Sequence, residues 1–525
     1  MEKLGIVRRV AIGVWVKAML LFTCAMSAFG EDQNPPNVVL MFVDDLGYCA
    51  SGLYGCEAPT PNIQQLADEG ARFTDGYVTS PVCSPSRAGM LTGRGQQRFG
   101  HDFLPEGAVD GNGGLPVGEV TLADALKELT GRGQQRFGHD YLPEGAVDGN
   151  GGLPVGEVTL ADALKEAGYV TGMVGKWHLG HNEKFHPLNR GFDEFFGLLG
   201  AATSYADHAR EDLVIQTLWG MELPLLSYFP DDFTLSLWSV IKAFFFEPGA
   251  PRLMRGMNHV QEDSYLTHAF SREAVDFINR HRDEPFFLYL PYTAVHHPLQ
   301  VPREYYDQFA DIEDEQIRIL TAMTASLDDG VGSVLNALEA NGLEDNTLVF
   351  FISDNGAGAD GVSNAPLRLG KHSLFEGGNR VPFAVKWPRN IPAGLTYSQP
   401  VSTLDVFPTS LAAAGAKLTE DQQLEGVDLL PYLKETEGTP PHESLFWRQG
   451  PNWAVRSGNW KLTYAAERSW LYDLSKDIGE KNNLAGSHPE KIRQLTEQYQ
   501  KWNSRNTDPA WPALSSKTMS ELSVD

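Results

Sequence analysis

The chain has 525 residues, 42% of them hydrophobic, which allows a large buried core in two or three domains and excludes a disordered polypeptide. Its 68 acidic against 42 basic side chains give a formal net charge of −26, a surface that repels nucleic acid and anionic membranes. Any anion-binding site must therefore be a local cluster of Lys, Arg and His in a cleft.

Residues 1 to 30 carry Lys3, Arg8 and Arg9, an apolar stretch from Ala18 to Met26, and then Ser27, Ala28, Phe29 and Gly30. That order reads as a signal peptide, with a secreted or periplasmic mature chain. Lys17 interrupts the apolar run, and the uncharged stretch behind it is shorter than the roughly 20 residues a membrane span needs, so no stable span is expected in the mature form. The alternatives are a retained anchor and lipid attachment at Cys24, the latter disfavoured by Leu21, Phe22 and Thr23.

The main domain is expected over residues 31 to 440. NVVLMFV at 37 to 43 is a continuous apolar run of the kind found in buried parallel strands, and it ends on Asp44 and Asp45. Similar runs occur at 169 to 175, 286 to 292, 347 to 353 and 381 to 387, with helical patterns at 62 to 69, 264 to 280 and 313 to 341 between them. The alternation predicts an open α/β fold with a large, mostly parallel central sheet flanked by helices. Ligands in such sheets bind beyond the carboxyl ends of the strands, where Asp44, Asp45, Asp354 and Asn355 fall. From 441 to 525 the texture changes to short strand-like pieces rich in Trp and Tyr and one amphipathic helix near 489 to 503, predicting a small C-terminal α+β domain.

Two features interrupt this pattern. Residues 91 to 128 recur at 129 to 166, and only Phe103 against Tyr141 differs. Two copies are too few for a solenoid, so a recent duplication or an assembly artefact accounts for them, and one copy is surplus to the fold. The stretch from Leu213 to Phe246 is dense in Leu, Trp and Phe, but Glu222, Asp231, Asp232 and Lys242 break it too often for a membrane span. Packed helices in an insertion are expected there, with a substrate-facing lid as the alternative.

Beyond the leader only Cys49, Cys56 and Cys83 remain, so one cysteine is left over even if two pair. Cys83 lies in PVCSPSRAGMLTG, crowded by Ser84, Ser86 and Arg87, where a merely packed cysteine would prefer apolar neighbours. A helix beginning near Pro85 would aim its free N–H groups at an anion beside position 83, with Arg87 adding charge. GKWHLG offers Lys176 and His178; AVHHPLQVP offers His296 and His297; GKHSLFEGGNRVP offers Lys371, His372 and Arg380. These cationic segments near strand ends suit an anion pocket. Asp44, Asp45, Asp354 and Asn355 are hard oxygen donors from two strand ends, suited to Ca²⁺ or Mg²⁺ rather than zinc.

PVCSPSRAGMLTG resembles the first signature of the type I sulfatases, and GYVTGMVGKWH at 168 to 178 resembles their second; the likeness runs from about Asn37 to the C-terminal LYDLSKDIGE. The resemblance implies the alkaline phosphatase-like fold and oxidation of Cys83 to formylglycine by a separate maturation enzyme. It also implies one Ca²⁺, in preference to Mg²⁺, held by Asp44, Asp45, Asp354 and Asn355 with residue 83. Arg87, Lys176 and Lys371 would then neutralise the sulfate, His178 would take the proton that releases it, and His296 or Lys371 would protonate the leaving alcohol. His296 is assigned rather than His297 because the family places its histidine two residues before the proline. The expected substrate is a sulfate monoester, on sulfated carbohydrate. Two rival readings are a phosphomonoester or phosphonate hydrolase of the same superfamily and an inactive carbohydrate-binding relative.

Overall fold

The computed structural model describes residues 35–105, 151–207, 209–216, 251, 253–358, 364–416, 423–434 and 439–511. The proposed leader and most of the apolar insertion lie outside these residues; of the insertion, Leu213–Ile215 forms a short strand paired with Gln300–Pro302, where helix was expected.

A ten-stranded sheet runs through the larger part of the chain. Its strands are β1 (Asn37–Val43), β2 (Ala71–Phe73), β3 (Val170–Lys176), β4 (Glu194–Leu198), β5 (Leu253–Arg255), β6 (Asn258–Val260), β7 (Phe286–Leu290), β8 (Thr347–Ser353), β9 (Phe383–Lys386) and β10 (Leu395–Tyr397). Their order across the sheet is β10-β2-β9-β8-β1-β7-β3-β4-β5-β6. The five central strands β8, β1, β7, β3 and β4 are parallel, whereas β9, β5 and β6 join antiparallel toward the edges. The sheet is thus mixed, with a parallel centre. All five carboxyl ends emerge at one edge, which is why residues distant in sequence converge there.

β1 shows how the sheet is built. It is buried along its whole length, and its side chains alternate between two cores as a strand's period of two requires. Val39, Met41 and Val43 face one side, with α1 (Pro61–Asp68), α4 (Leu266–Arg280) and α5 (Glu315–Ala340). Val38, Leu40 and Phe42 face the other, with α2 (Cys83–Thr92), α3 (Leu160–Glu166) and α6 (Val406–Ala413). α4 and α5 pack so closely that a Cβ on Gly330 would lie 2.5 Å from Ser271 Oγ.

The C-terminal part is an antiparallel meander of β11 (Ser444–Gln449), β12 (Asn452–Ser457), β13 (Trp460–Ala465) and β14 (Arg468–Asp473), covered by α7 (Pro489–Asn503). Trp453 stacks on Tyr499 at 4.2 Å and Phe446 on Trp502 at 5.2 Å. A buried ionic network joins this sheet to the larger one. Glu376 accepts from Lys461 Nζ at 2.8 Å and from Tyr77 Oη at 2.7 Å, while Asp75 pairs with Arg456 at 2.6 Å and Arg380 at 3.0 Å. Burial works against the charge on Glu376, yet Lys461, Arg380 and Arg456 hold its pKa down at about 2. Arg380, a candidate for the anion pocket in the sequence, is instead spent on this joint: Glu376 and Asp75 neutralise it and Thr74 O accepts from its Nε.

Both copies of the duplicated segment contribute described residues to the fold. Described residues 91–105 come from the first copy and 151–166 from the second, and Leu160 and Leu164 of α3 fill the core beneath β1. Excising 106 to 143 or 129 to 166 yields the same polypeptide, because both cuts remove Tyr141 and keep Phe103, the one position at which the copies differ. That shortened chain is expected to melt within about 4 °C of the full chain, the shift about 1 kcal/mol produces. Loss of soluble protein, or a fall of more than ~10 °C, would show that both copies are needed.

Candidate active site

The site forms where the parallel strands end. β1 delivers Asp44 and Asp45, β8 delivers Asp354 and Asn355, β3 ends on Lys176 with His178 two residues on, and the segment after β7 carries His296. α2 brings Cys83 and Arg87 from one face of the sheet, and the loop between β8 and β9 brings Lys371. Of these, Asp44, Arg87, Lys176, His178, Asp354 and Asn355 are fully buried. Lys371 and His296 keep 11% and 17% of their side chains exposed, so the site opens on their side.

α2 starts at Cys83, two residues before the start expected from Pro85. Val82 is still extended, and Ser86 N donates to Val82 O at 3.1 Å, so the first turn closes around Cys83 and leaves Pro85 in the first turn, where no N–H is missed. Cys83 is therefore at the positive end of the helix. Its Sγ lies 3.3 Å from His178 Nδ1. Burial would raise the thiol's pKa, but Lys176, His178 and Lys371 bring it down to about 6. Cys49 and Cys56 form a disulfide and Cys83 is free, in keeping with the odd count.

The carboxylates interlock with the cations. Lys176 Nζ donates to Asp44 Oδ2 at 2.7 Å, Arg87 Nη2 to Asp354 Oδ2 at 2.6 Å, and Lys371 Nζ to Asp45 Oδ2 at 2.9 Å. Asn355 Nδ2 donates to Asp45 Oδ1 at 2.6 Å. Burial opposes the charge on Asp44, and Lys176, Arg87 and Lys371 overcome it, holding the carboxyl far below its usual range. Asp354 goes the other way: burial first, then the charge of Asp44, push it well above that range despite Arg87. His296 stays neutral, its pKa pushed to about 3 by burial and Lys371 against the pull of Asp44 and Asp45. Its Nδ1 lies 2.6 Å from the His297 carbonyl, which can only accept, so Nδ1 carries the ring proton and Nε2 faces Asp45 at 3.7 Å.

These residues fit a divalent cation. Ligand atoms of Asp44, Cys83 and Asp354 lie within 4.8 Å of one another, as do those of Asp44, Asp45 and His296. Asp44 Oδ1 and Asn355 Oδ1 are buried and have no hydrogen-bond partner among the described residues. An ion between them would satisfy both oxygens and offset the negative charge that raises Asp354. The donors are mainly hard oxygens, which suits Ca²⁺ or Mg²⁺.

Beside the ionic cluster lies a cleft of about 180 Å³ that reaches Asp45 and His297. Its walls are the N-terminal part of α5, including Gln316, Leu320 and Thr321, and the loop closed by the Cys49–Cys56 disulfide. His372 is half-buried and neutral, its pKa driven to about 4 by desolvation and Lys371, so it brings no cation to the site. Two supporting residues escaped the sequence reading. Ser353 Oγ accepts from Leu46 N at 3.0 Å and donates to Asn355 O at 2.8 Å, tying the ends of β1 and β8 together; its place as the last residue of a strand was the only signal. Ser84 lies in the cysteine motif, and its hydroxyl donates to the His178 carbonyl at 2.6 Å.

The chain is similar to known proteins over most of its length. Residues 36–416 match the sulfatase family, and residues 369–505 match the C-terminal region of N-sulphoglucosamine sulphohydrolase. The chain is 33% identical to N-acetylgalactosamine-6-sulfatase of Canis lupus familiaris over 469 residues, covering 86% of this chain and 75% of that protein. It is 32% identical to arylsulfatase D of Homo sapiens, covering 85% and 78%. Among solved structures it resembles Ps i-CgsB in complex with k-i-k-neocarrahexaose, at a TM-score of 0.72 and 31% identity over 91% of this chain and 95% of that one. The chain belongs to the sulfatase family, enzymes that hydrolyse sulfate esters.

Proposed function

We propose that this chain removes sulfate from sulfated carbohydrate, with a formylglycine made from Cys83 and one calcium ion held by Asp44, Asp45, Asp354, Asn355 and residue 83. The observation that carries the reading is the placement of Cys83: at a helix start, 3.3 Å from His178 Nδ1, in a pocket that also gathers Arg87, Lys176 and Lys371. Maturation replaces the Cβ–sulfur bond by an aldehyde, a net oxidation that needs an external oxidant and a separate maturation enzyme. As a hydrate, the aldehyde supplies one hydroxyl to attack sulfur and a second whose deprotonation lets sulfate leave, a release route that serine and cysteine lack. The ion, when bound, polarises a sulfate oxygen as a Lewis acid.

The chain's own residues do the rest. Arg87, Lys176 and Lys371 offset the charge of the sulfate oxygens in a site shielded from water. His178 stands beside residue 83 to accept the proton whose removal frees sulfate. Lys371, on the open side, is placed to donate toward the departing alcohol and is protonated, because Asp45, Cys83 and Asp44 outweigh the effect of its burial; His296, whose single ring proton is turned to the His297 carbonyl, would have to gain a proton at Nε2 before it could share that role. The cleft between α5 and the disulfide loop is where the alcohol would lie. Its apolar and amide-bearing walls suit a sugar ring, and the likeness to Ps i-CgsB and to N-acetylgalactosamine-6-sulfatase supports a sulfated glycan. The leader-like first 30 residues support action outside the cytoplasm; among the described residues no helix is long and apolar enough to cross a membrane.

Mass spectrometry of the residue-83 peptide, from protein made with a maturation enzyme, should show the aldehyde. Cys83→Ala should lower sulfate release on the order of 10³-fold or more. Undiminished activity in that variant would overturn the assignment, and faster turnover of a matched phosphate ester would favour the phosphohydrolase reading. Lys371→Ala should cost about 10²-fold or more on a sugar sulfate and markedly less on nitrophenyl sulfate, whose leaving group needs no proton. Equal losses on both substrates would remove Lys371 from the donor role.

A further inference from the structure

His178 carries its reaction role on an unusual backbone. Its φ is +59°, a left-handed conformation that a residue with a Cβ adopts only when its surroundings impose it. Two bonds impose it here: His178 N donates to Leu199 O at 2.9 Å, and its carbonyl accepts from Ser84 Oγ at 2.6 Å. Ser84 directly follows Cys83, so this second bond ties the base to the residue it serves.

The Ser84 hydroxyl has a single proton, and a carbonyl can only accept, so that proton points at His178 O. His101 Nε2 lies 2.8 Å from the same Ser84 oxygen and must therefore bring a proton of its own. The network thus assigns His101 the tautomer protonated at Nε2, with Ser84 accepting from His101 and donating to His178. All three residues are fully buried.

His101 is held from behind by the segment that follows α7. Ala510 N donates to Gly100 O at 2.8 Å, Trp511 Nε1 donates to Phe103 O at 3.1 Å, and the Trp511 ring stands edge-on to His101 with centroids 4.8 Å apart. Gly100, at φ +75°, allows this approach: a Cβ there would lie 2.8 Å from Asp508 O. Arg448 of β11 grips Asp102 with two bonds, at 2.7 and 2.9 Å. The C-terminal part of the chain thereby braces the turn that presents His101.

We propose that His101 is a positioning residue: by donating Nε2–H to Ser84 it commits the Ser84 proton to the His178 carbonyl and fixes His178 against residue 83. The proposal rests on the role given to His178 above. The test uses two variants that leave no large cavity. In His101→Gln the amide nitrogen reaches the place of Nε2 and can donate; in His101→Asn it falls short.

Two readouts are needed. In unmatured full-length protein, which retains Cys83, hydrogen–deuterium exchange of the segment around residues 176 to 180 should quicken in the Asn variant and match wild type in the Gln variant. In matured protein, with rates normalised to the aldehyde content of residue 83, the Asn variant should lose about 10-fold or more in kcat with KM within about threefold, and the Gln variant should recover to within about threefold of wild type. Wild-type exchange in the Asn variant, or equal kcat in the two variants, would overturn the proposal. The exchange measurement does not depend on turnover, so a failure there is distinct from wild-type protein failing to release sulfate, which would overturn the enzymatic reading instead.

Discussion

The structure turns on the pairing of buried acids with buried bases at the carboxyl end of β1. Asp44, fully buried between Lys176 and Arg87, brings together a strand end, a second strand end and a helix from one face of the sheet. Removing one partner of such a pair leaves a bare charge in the core, at a cost of about 3–5 kcal/mol, so position and charge are fixed together. Arg87 reaches Asp354 from α2, and the same helix holds Cys83 in place. Burial and then the charge of Asp44 raise the Asp354 pKa despite Arg87, and nearby Asp44 Oδ1 and Asn355 Oδ1 have no hydrogen-bond partner among the described residues. A divalent ion there would complete the balance.

A second ionic cluster, formed by Asp75, Glu376, Arg380, Arg456 and Lys461, joins the C-terminal sheet to the larger one. The two parts of the chain therefore do not meet through apolar packing alone. Together with Arg448 on Asp102 and Trp511 on His101, this joint makes the C-terminal part a support for the site, although it supplies none of the residues placed beside Cys83.

Much of this was legible in the sequence for definite reasons. β1 and β8 were readable because a strand buried on both faces is apolar throughout and stops abruptly at its polar end, so Asp44, Asp45, Asp354 and Asn355 marked the functional edge. Cys83 stood out because its polar neighbours suit a packed cysteine poorly. β9 was recognisable as a strand but not as an antiparallel one, since a short apolar run looks the same in either direction. Arg380 was misplaced because a cation near a strand end has the same local pattern whether it serves a ligand or, as here, two buried carboxylates. His101 gave no signal: its contact with Ser84 joins a turn and a helix start whose proximity only the folded chain reveals, with the segment after α7 packed behind them.

Whether the paired acids at the end of β1 are built around one divalent ion is answered by calorimetric titration of Ca²⁺ into chelator-treated protein. One ion per chain is expected, with binding lost in both Asp44→Asn and Asp354→Asn. Absence of binding to the wild-type chain, or binding that survives both substitutions, would contradict it.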